Sequence, residues 1–78
     1  MRLDKYLKLS RLIKRRTIAK KAADLSLVYV NDKIAKPSYF LKLEDQIRLV
    51  LGFKIITIRV QSFNIKEEMY ELIAEEIK

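Results

Sequence analysis

The side chains with chemistry to offer in this sequence are cations. Between Arg11 and Lys21 the stretch RLIKRRTIAKK carries Arg11, Lys14, Arg15, Arg16, Lys20 and Lys21 and no acidic residue, and Arg2, Lys5 and Lys8 lie just upstream. Arginine presents a planar fork of donors that grips phosphate oxygens in pairs, and lysine adds a point charge. Crowded together, these groups suit the sugar–phosphate backbone of a nucleic acid. Structured RNA is read mostly by shape, through its phosphates, 2′-hydroxyls and shallow minor groove, and a compact basic patch fits that task. Single-strand binding would prefer exposed aromatics between the charges. Tyr6 has core spacing, and Tyr29 reads as a surface strand tyrosine with the option of stacking on a base. The expected RNA-binding residues are therefore Arg2, Lys5, Lys8, Arg11, Lys14, Arg15, Arg16 and Lys20. Asp4 either orients a neighbouring arginine or simply occupies the first turn of a helix. The scheme requires that the arginines not be buried against the protein's own carboxylates.

Catalysis has little to work with. The chain has no histidine, no cysteine and one glycine. The usual bases and thiol nucleophiles, the common zinc sites, disulfides and glycine-rich phosphate loops are thereby excluded. No enzyme activity, cofactor or metal is expected. At 78 residues with 50% hydrophobic content, the length fits one small domain. The N-terminus lacks the apolar run of a signal peptide, and no stretch approaches a membrane span. A cytoplasmic protein with no membrane partner is the expectation. The net charge of +7 is unevenly placed: residues 1–36 hold eleven Lys/Arg against three Asp/Glu, and residues 37–78 hold six against seven. Such asymmetry marks a polyanionic partner rather than a solubilising coat.

The elements that must position these cations follow from periodicity. Residues 1–9 predict a short helix with Leu3, Tyr6 and Leu7 on one side and Arg2, Lys5 and Lys8 on the other. A second helix is expected from between Lys14 and Thr17 to about Leu25, with Ile18, Ala19, Ala22, Leu25 and Ser26 sharing a face. Lys14, Arg15 and Arg16 fall at or just before its first turn, where cations oppose the helix dipole and an anion would relieve the repulsion. Residues 27–30 and 33–36 predict a hairpin turning at Asn31-Asp32. Residues 39–43 read as a loop covering the core edge. Residues 46–51 and 54–60 alternate on either side of Gly52 and predict a second hairpin. Met69, Leu72, Ile73 and Ile77 fall on a helical stripe, so an acidic amphipathic helix is expected over about residues 67–77. The predicted fold is α+β: two short N-terminal helices on a small, mainly antiparallel sheet, plus a C-terminal helix.

Two other binding classes fit part of this pattern. Two short helices with basic residues between them could act as a small DNA-binding module, against which the β-rich second half argues. An anionic-membrane binder would need a broad face of large apolar residues, where this helix has alanines.

The order of the pieces resembles a known family. RLDKYLKLSRLIKRRTIAKKAAD, then VYVND, then Lys36, Ser38 and Asp45 before IRLVL, is similar to the S-four RNA-binding domain, the αL module. The likeness covers residues 1–60 and leaves residues 61–78 as an extension carrying the expected acidic helix. It implies that Arg2 and Arg16 touch RNA, adds Lys36 to the RNA-binding set, and places Asp4 at the acidic position of the opening motif and Asn31 at the turn. Ser26, Asp32 and Glu44 stand where the family usually has glycine. The short stand-alone bacterial members are most similar. That resemblance implies binding to rRNA of the large ribosomal subunit and to tRNA on stalled 50S–peptidyl-tRNA complexes, in ribosome-associated quality control. It further implies support for C-terminal alanine tailing of the nascent chain, with a tailing factor that recruits alanyl-tRNA. A heat-shock-type ribosome-recycling role is the alternative. A monomer is expected.

Overall fold

A computed structural model describes residues 1–77. Helix α1 runs Leu3–Leu9 and helix α2 runs Arg16–Asp24. Leu3, Tyr6 and Leu7 are fully buried, while Lys5 and Lys8 stay in water. In α2 the buried residues are Ala19, Ala22 and Ala23. Ile18 and Leu25, expected on that face, are 53% and 59% exposed. Only the alanine stripe packs inward, because small side chains let α2 approach α1 closely.

Five strands form one antiparallel sheet: β1 (Val28–Val30), β2 (Lys33–Ile34), β3 (Gln46–Leu51), β4 (Lys54–Val60) and β5 (Tyr70–Ile77), in the order β2-β1-β3-β4-β5. Val28, Val30, Ile47, Leu49, Ile58 and Val60 alternate onto one face and meet the helices in a single core. The other face carries Tyr29, Arg48, Val50, Thr57 and Arg59. Among the described residues no helix is long and apolar enough to cross a membrane.

The predicted C-terminal helix is corrected by the structure: Tyr70–Ile77 is a strand paired with β4. Its register shows why the spacing misled. Val60 faces Tyr70 and Ile58 faces Leu72, but Thr57 faces Ala74, so Ile73 is the extra residue of a β-bulge. A bulge breaks the period of two. It sets Leu72 and Ile73 side by side as apolar neighbours and shifts the later residues by one, which imitates a helical stripe. Tertiary pairing then outweighs local propensity. Arg59 pairs across the strands with Glu71, and Lys54 Nζ lies 2.7 Å from Glu75 Oε1. The Tyr6 hydroxyl donates to the Met69 carbonyl, tying α1 to the start of β5. Burial pushes that phenol well above its ordinary pKa. Most of the expected acidic helix, from Tyr70 on, is thus the outer strand of the same sheet.

Several turns use left-handed backbone without glycine. Asn31 and Asp32 have φ of 52° and 68° and close the β1–β2 hairpin. The Asn31 amide donates to Asp45 Oδ1 at 3.0 Å and its carbonyl accepts from the Gln46 amide at 3.0 Å, so one side chain fastens the hairpin to β3. Glu44 has φ 75° and Ser26 has φ 59°. Ser26 follows the end of α2 with the Ser26 N–H donating to the Ala23 carbonyl and the Leu27 N–H to the Ala22 carbonyl. This is the paired arrangement that ends many helices and favours glycine. Ser26→Gly is accordingly expected to stabilise the fold by about 1 kcal/mol, read as a higher midpoint in urea denaturation with an unchanged slope. A lower midpoint would show that the serine side chain contributes more than its backbone strain costs.

Candidate nucleic-acid interface

The amides at the start of α1 are satisfied by the loop that follows β2. The Leu3 N–H donates to the Tyr39 carbonyl at 2.7 Å and the Asp4 N–H to the Pro37 carbonyl at 3.1 Å. The Lys5 N–H donates to Asp4 Oδ1 at 2.8 Å. Asp4 is therefore held in place by its own helix and sits 2% exposed.

Two guanidiniums converge on that carboxylate. Arg2 places Nε 3.2 Å from Oδ1 and Nη2 3.2 Å from Oδ2. Arg16, twelve residues away at the start of α2, places Nη2 and Nε 3.5 Å from the two oxygens. Burial pushes the Asp4 carboxyl up. The Lys5 amide, the two arginine donors and the Arg16 charge outweigh it and hold the group below its ordinary value of 3.8. One carboxylate serves two cations, so the trio keeps a net positive charge. The arginine side chains remain 42% and 49% exposed, which meets the requirement that they not be buried against internal acids. Asp4 is hydrogen-bonded to both guanidiniums and also stands in the first turn of α1, so both readings of this residue describe the same geometry. The first turn of α2 contains no acidic residue, and the Asp4 carboxylate from α1 supplies the missing counter-charge.

The cations divide into two groups. Arg2, Arg16 and Lys20 line a cavity of about 290 Å³ with Asp4 and Thr17. Arg2 and Lys20 also line the adjoining cavity of about 470 Å³, together with Lys36 and the acidic Asp24. Lys8, Arg11 and Lys14 gather separately around Leu9 and Ile65. Lys5 and Arg15 are exposed and line neither group. Arg11 has φ 66° directly after α1, a strained place for a residue with a side chain. Tyr29, the base-stacking option, has Arg48 4.5 Å above its ring centroid, and Arg48 in turn pairs with Asp32 at 3.1 Å. That ring face is already occupied. The loop after Pro37 does cover the core edge through Leu41, which is 5% exposed, but Phe40 beside it is 68% exposed. Sequence reasoning passed over Phe40. The local signal was its alternation with Leu41; the place of the loop beside Arg2 depends on the folded chain.

Comparison with known proteins places the fold in a family. The model of the S4 domain matches residues 1–47, which hold every one of the grouped cations. The chain belongs to the S4 domain family. Curated relatives of this S4 domain protein extend the likeness over nearly the whole chain. A protein of Streptococcus pneumoniae named "RQC P-site tRNA stabilizing factor" is 47% identical, covering 96% of this chain and 92% of the relative. Its namesake in Bacillus subtilis is 44% identical, covering 97% and 95%. Among solved structures, the trimeric structure of Vibrio cholerae Heat Shock Protein 15 superposes with a TM-score of 0.85 at 30% identity, covering 95% of this chain and 82% of that one.

Proposed function

We propose that this chain is a non-catalytic RNA-binding protein of ribosome-associated quality control. It contacts large-subunit rRNA and the P-site tRNA on stalled 50S–peptidyl-tRNA complexes. In the cytoplasm, as a monomer, it supports alanine tailing of the nascent chain together with a factor that recruits alanyl-tRNA. The observation that carries the RNA-binding part is the buried Asp4 aiming two half-exposed arginines from different helices into one groove with Lys20 and Lys36. Arg2 and Arg16 are the central phosphate contacts. Lys5, Lys8, Arg11, Lys14 and Arg15 extend the field around them. The quality-control part rests on relatives named for stabilising a P-site tRNA. A heat-shock-type recycling role is favoured by the structural likeness to Heat Shock Protein 15; the higher identity to the tRNA-stabilising relatives places it second.

Binding to purified large subunits, with and without P-site peptidyl-tRNA, tests the proposal as potassium chloride is raised. Four grooved cations on phosphates give an expected slope of about −3 in log K against log salt, with tighter binding when the tRNA is present. A flat salt response rejects the RNA-binding reading, and indifference to the tRNA rejects the quality-control part.

A further inference from the structure

The cation groove has an aromatic neighbour that the phosphate contacts leave unused. Phe40 forms an isolated antiparallel bridge with Arg2. Residues directly opposite in such a bridge project to the same side. The bridge is locked at both flanks: the Leu3 N–H donates to the Tyr39 carbonyl, and the Leu41 N–H to the Met1 carbonyl at 2.9 Å. Before it, Lys36-Pro37-Ser38-Tyr39 is a turn closed by the Tyr39 N–H on the Lys36 carbonyl at 3.0 Å. Phe40 is thus held on fixed backbone, yet its side chain is 68% exposed while Leu41 beside it is buried.

The charges around this ring decide what it can meet. Arg2 lies opposite, Lys36 is across the turn, and Lys42 is two residues on. Two acids lie near these cations: Asp4 is buried and already shared by Arg2 and Arg16, and Asp24 lines the cavity that Arg2, Lys20 and Lys36 share, so the cations still outnumber the acids. A protein partner with an apolar pocket would have to neutralise these cations as well as cover the ring. An unpaired nucleotide does both at once, since its base offers a π-face and its phosphate a negative charge.

We propose that Phe40 is a stacking subsite for an unpaired nucleobase, with Arg2 holding the adjoining phosphate. The subsite rests on the RNA-binding reading and sharpens it: the RNA recognised has a splayed or bulged nucleotide next to the helix whose phosphates fill the groove. One face of Tyr29, by contrast, is already covered by Arg48.

Phe40→Leu and Phe40→Trp test this in binding assays with purified large subunits. Stacking on one base is expected to be lost in Phe40→Leu, for about a tenfold weaker affinity at an unchanged salt slope, because no charge is removed. Phe40→Trp is expected to restore it. Thermal melting should be alike for all three, given the exposure of the ring. p-Benzoylphenylalanine in place of Phe40 should give an adduct with RNA that nuclease trims to a nucleotide. Unchanged binding by Phe40→Leu, or an adduct to ribosomal protein alone, overturns the subsite, while a surviving salt slope in the same assays leaves the phosphate groove standing. A flat salt response of the unaltered protein removes both.

Discussion

Arg2→Ala and Arg16→Ala are each expected to weaken binding to large ribosomal subunits about tenfold, and the double variant about a hundredfold, from charge-assisted hydrogen bonds of about 1.5–3 kcal/mol apiece. The shared carboxylate makes the pattern informative. With both arginines the trio carries a net positive charge. Loss of either takes the trio from one net positive charge to none, so each single change removes one charge from the groove and leaves Lys20 and Lys36 in place. Loss of both leaves a bare, buried carboxylate facing the groove. The single variants should keep near-native stability, because the remaining guanidinium and the Lys5 amide still satisfy Asp4. Each should also reduce the salt slope by about 1. Filter binding across a salt series measures affinity and slope together. Full binding by both single variants would show that these arginines are structural clamps, not RNA contacts.

Asp4→Asn should cost about 2 kcal/mol of stability at neutral pH, since it removes the negative charge, turns one of the two acceptor oxygens into a donor, and leaves two guanidiniums facing each other without a counter-ion. The sign of the pH dependence follows from the lowered carboxyl. A group with a depressed folded-state pKa stabilises fully above its ordinary value, here 3.8, and loses that contribution as pH falls through the folded value. The gap between the unaltered protein and Asp4→Asn should therefore be widest near neutrality and shrink below about pH 4. Denaturation at several pH values gives the gap directly, and because the other carboxylates are common to both proteins they largely cancel in the difference. The same variant separates aim from charge. Asp4→Asn adds a unit of positive charge, yet binding to large subunits should fall several-fold because the arginines lose their common anchor. Tighter binding would show that charge count alone governs the interaction.

Much of this protein was written locally. The two helices, both hairpins and the core alternation of β3 and β4 follow from spacing that neighbouring residues can express by themselves. The basic stretch announced a polyanion partner. The positions where glycine was missing, Ser26, Asp32 and Glu44, prove to hold left-handed backbone, because the turn geometry is needed whatever residue occupies it.

Other features lie beyond any local pattern. The last strand was hidden by its bulge at Ile73, and its partner edge on β4 exists only once the sheet is assembled. A single run of cations became two groups, because the turn after α1 sends Arg11 and Lys14 to one side while α2 returns Arg16 and Lys20 to Arg2. Asp4 was visible as an acid near arginines, but its capture of Arg16 from twelve residues away required α1 to pack against the alanines of α2. Sequence by itself determined the charge, its sign, and the helices that carry it, since these depend on residue type and short-range periodicity. Tertiary structure alone decided which guanidiniums share a carboxylate, which cations face one groove, and that Phe40 stands exposed beside Arg2, since each of these depends on distances between segments that the chain brings together only by folding.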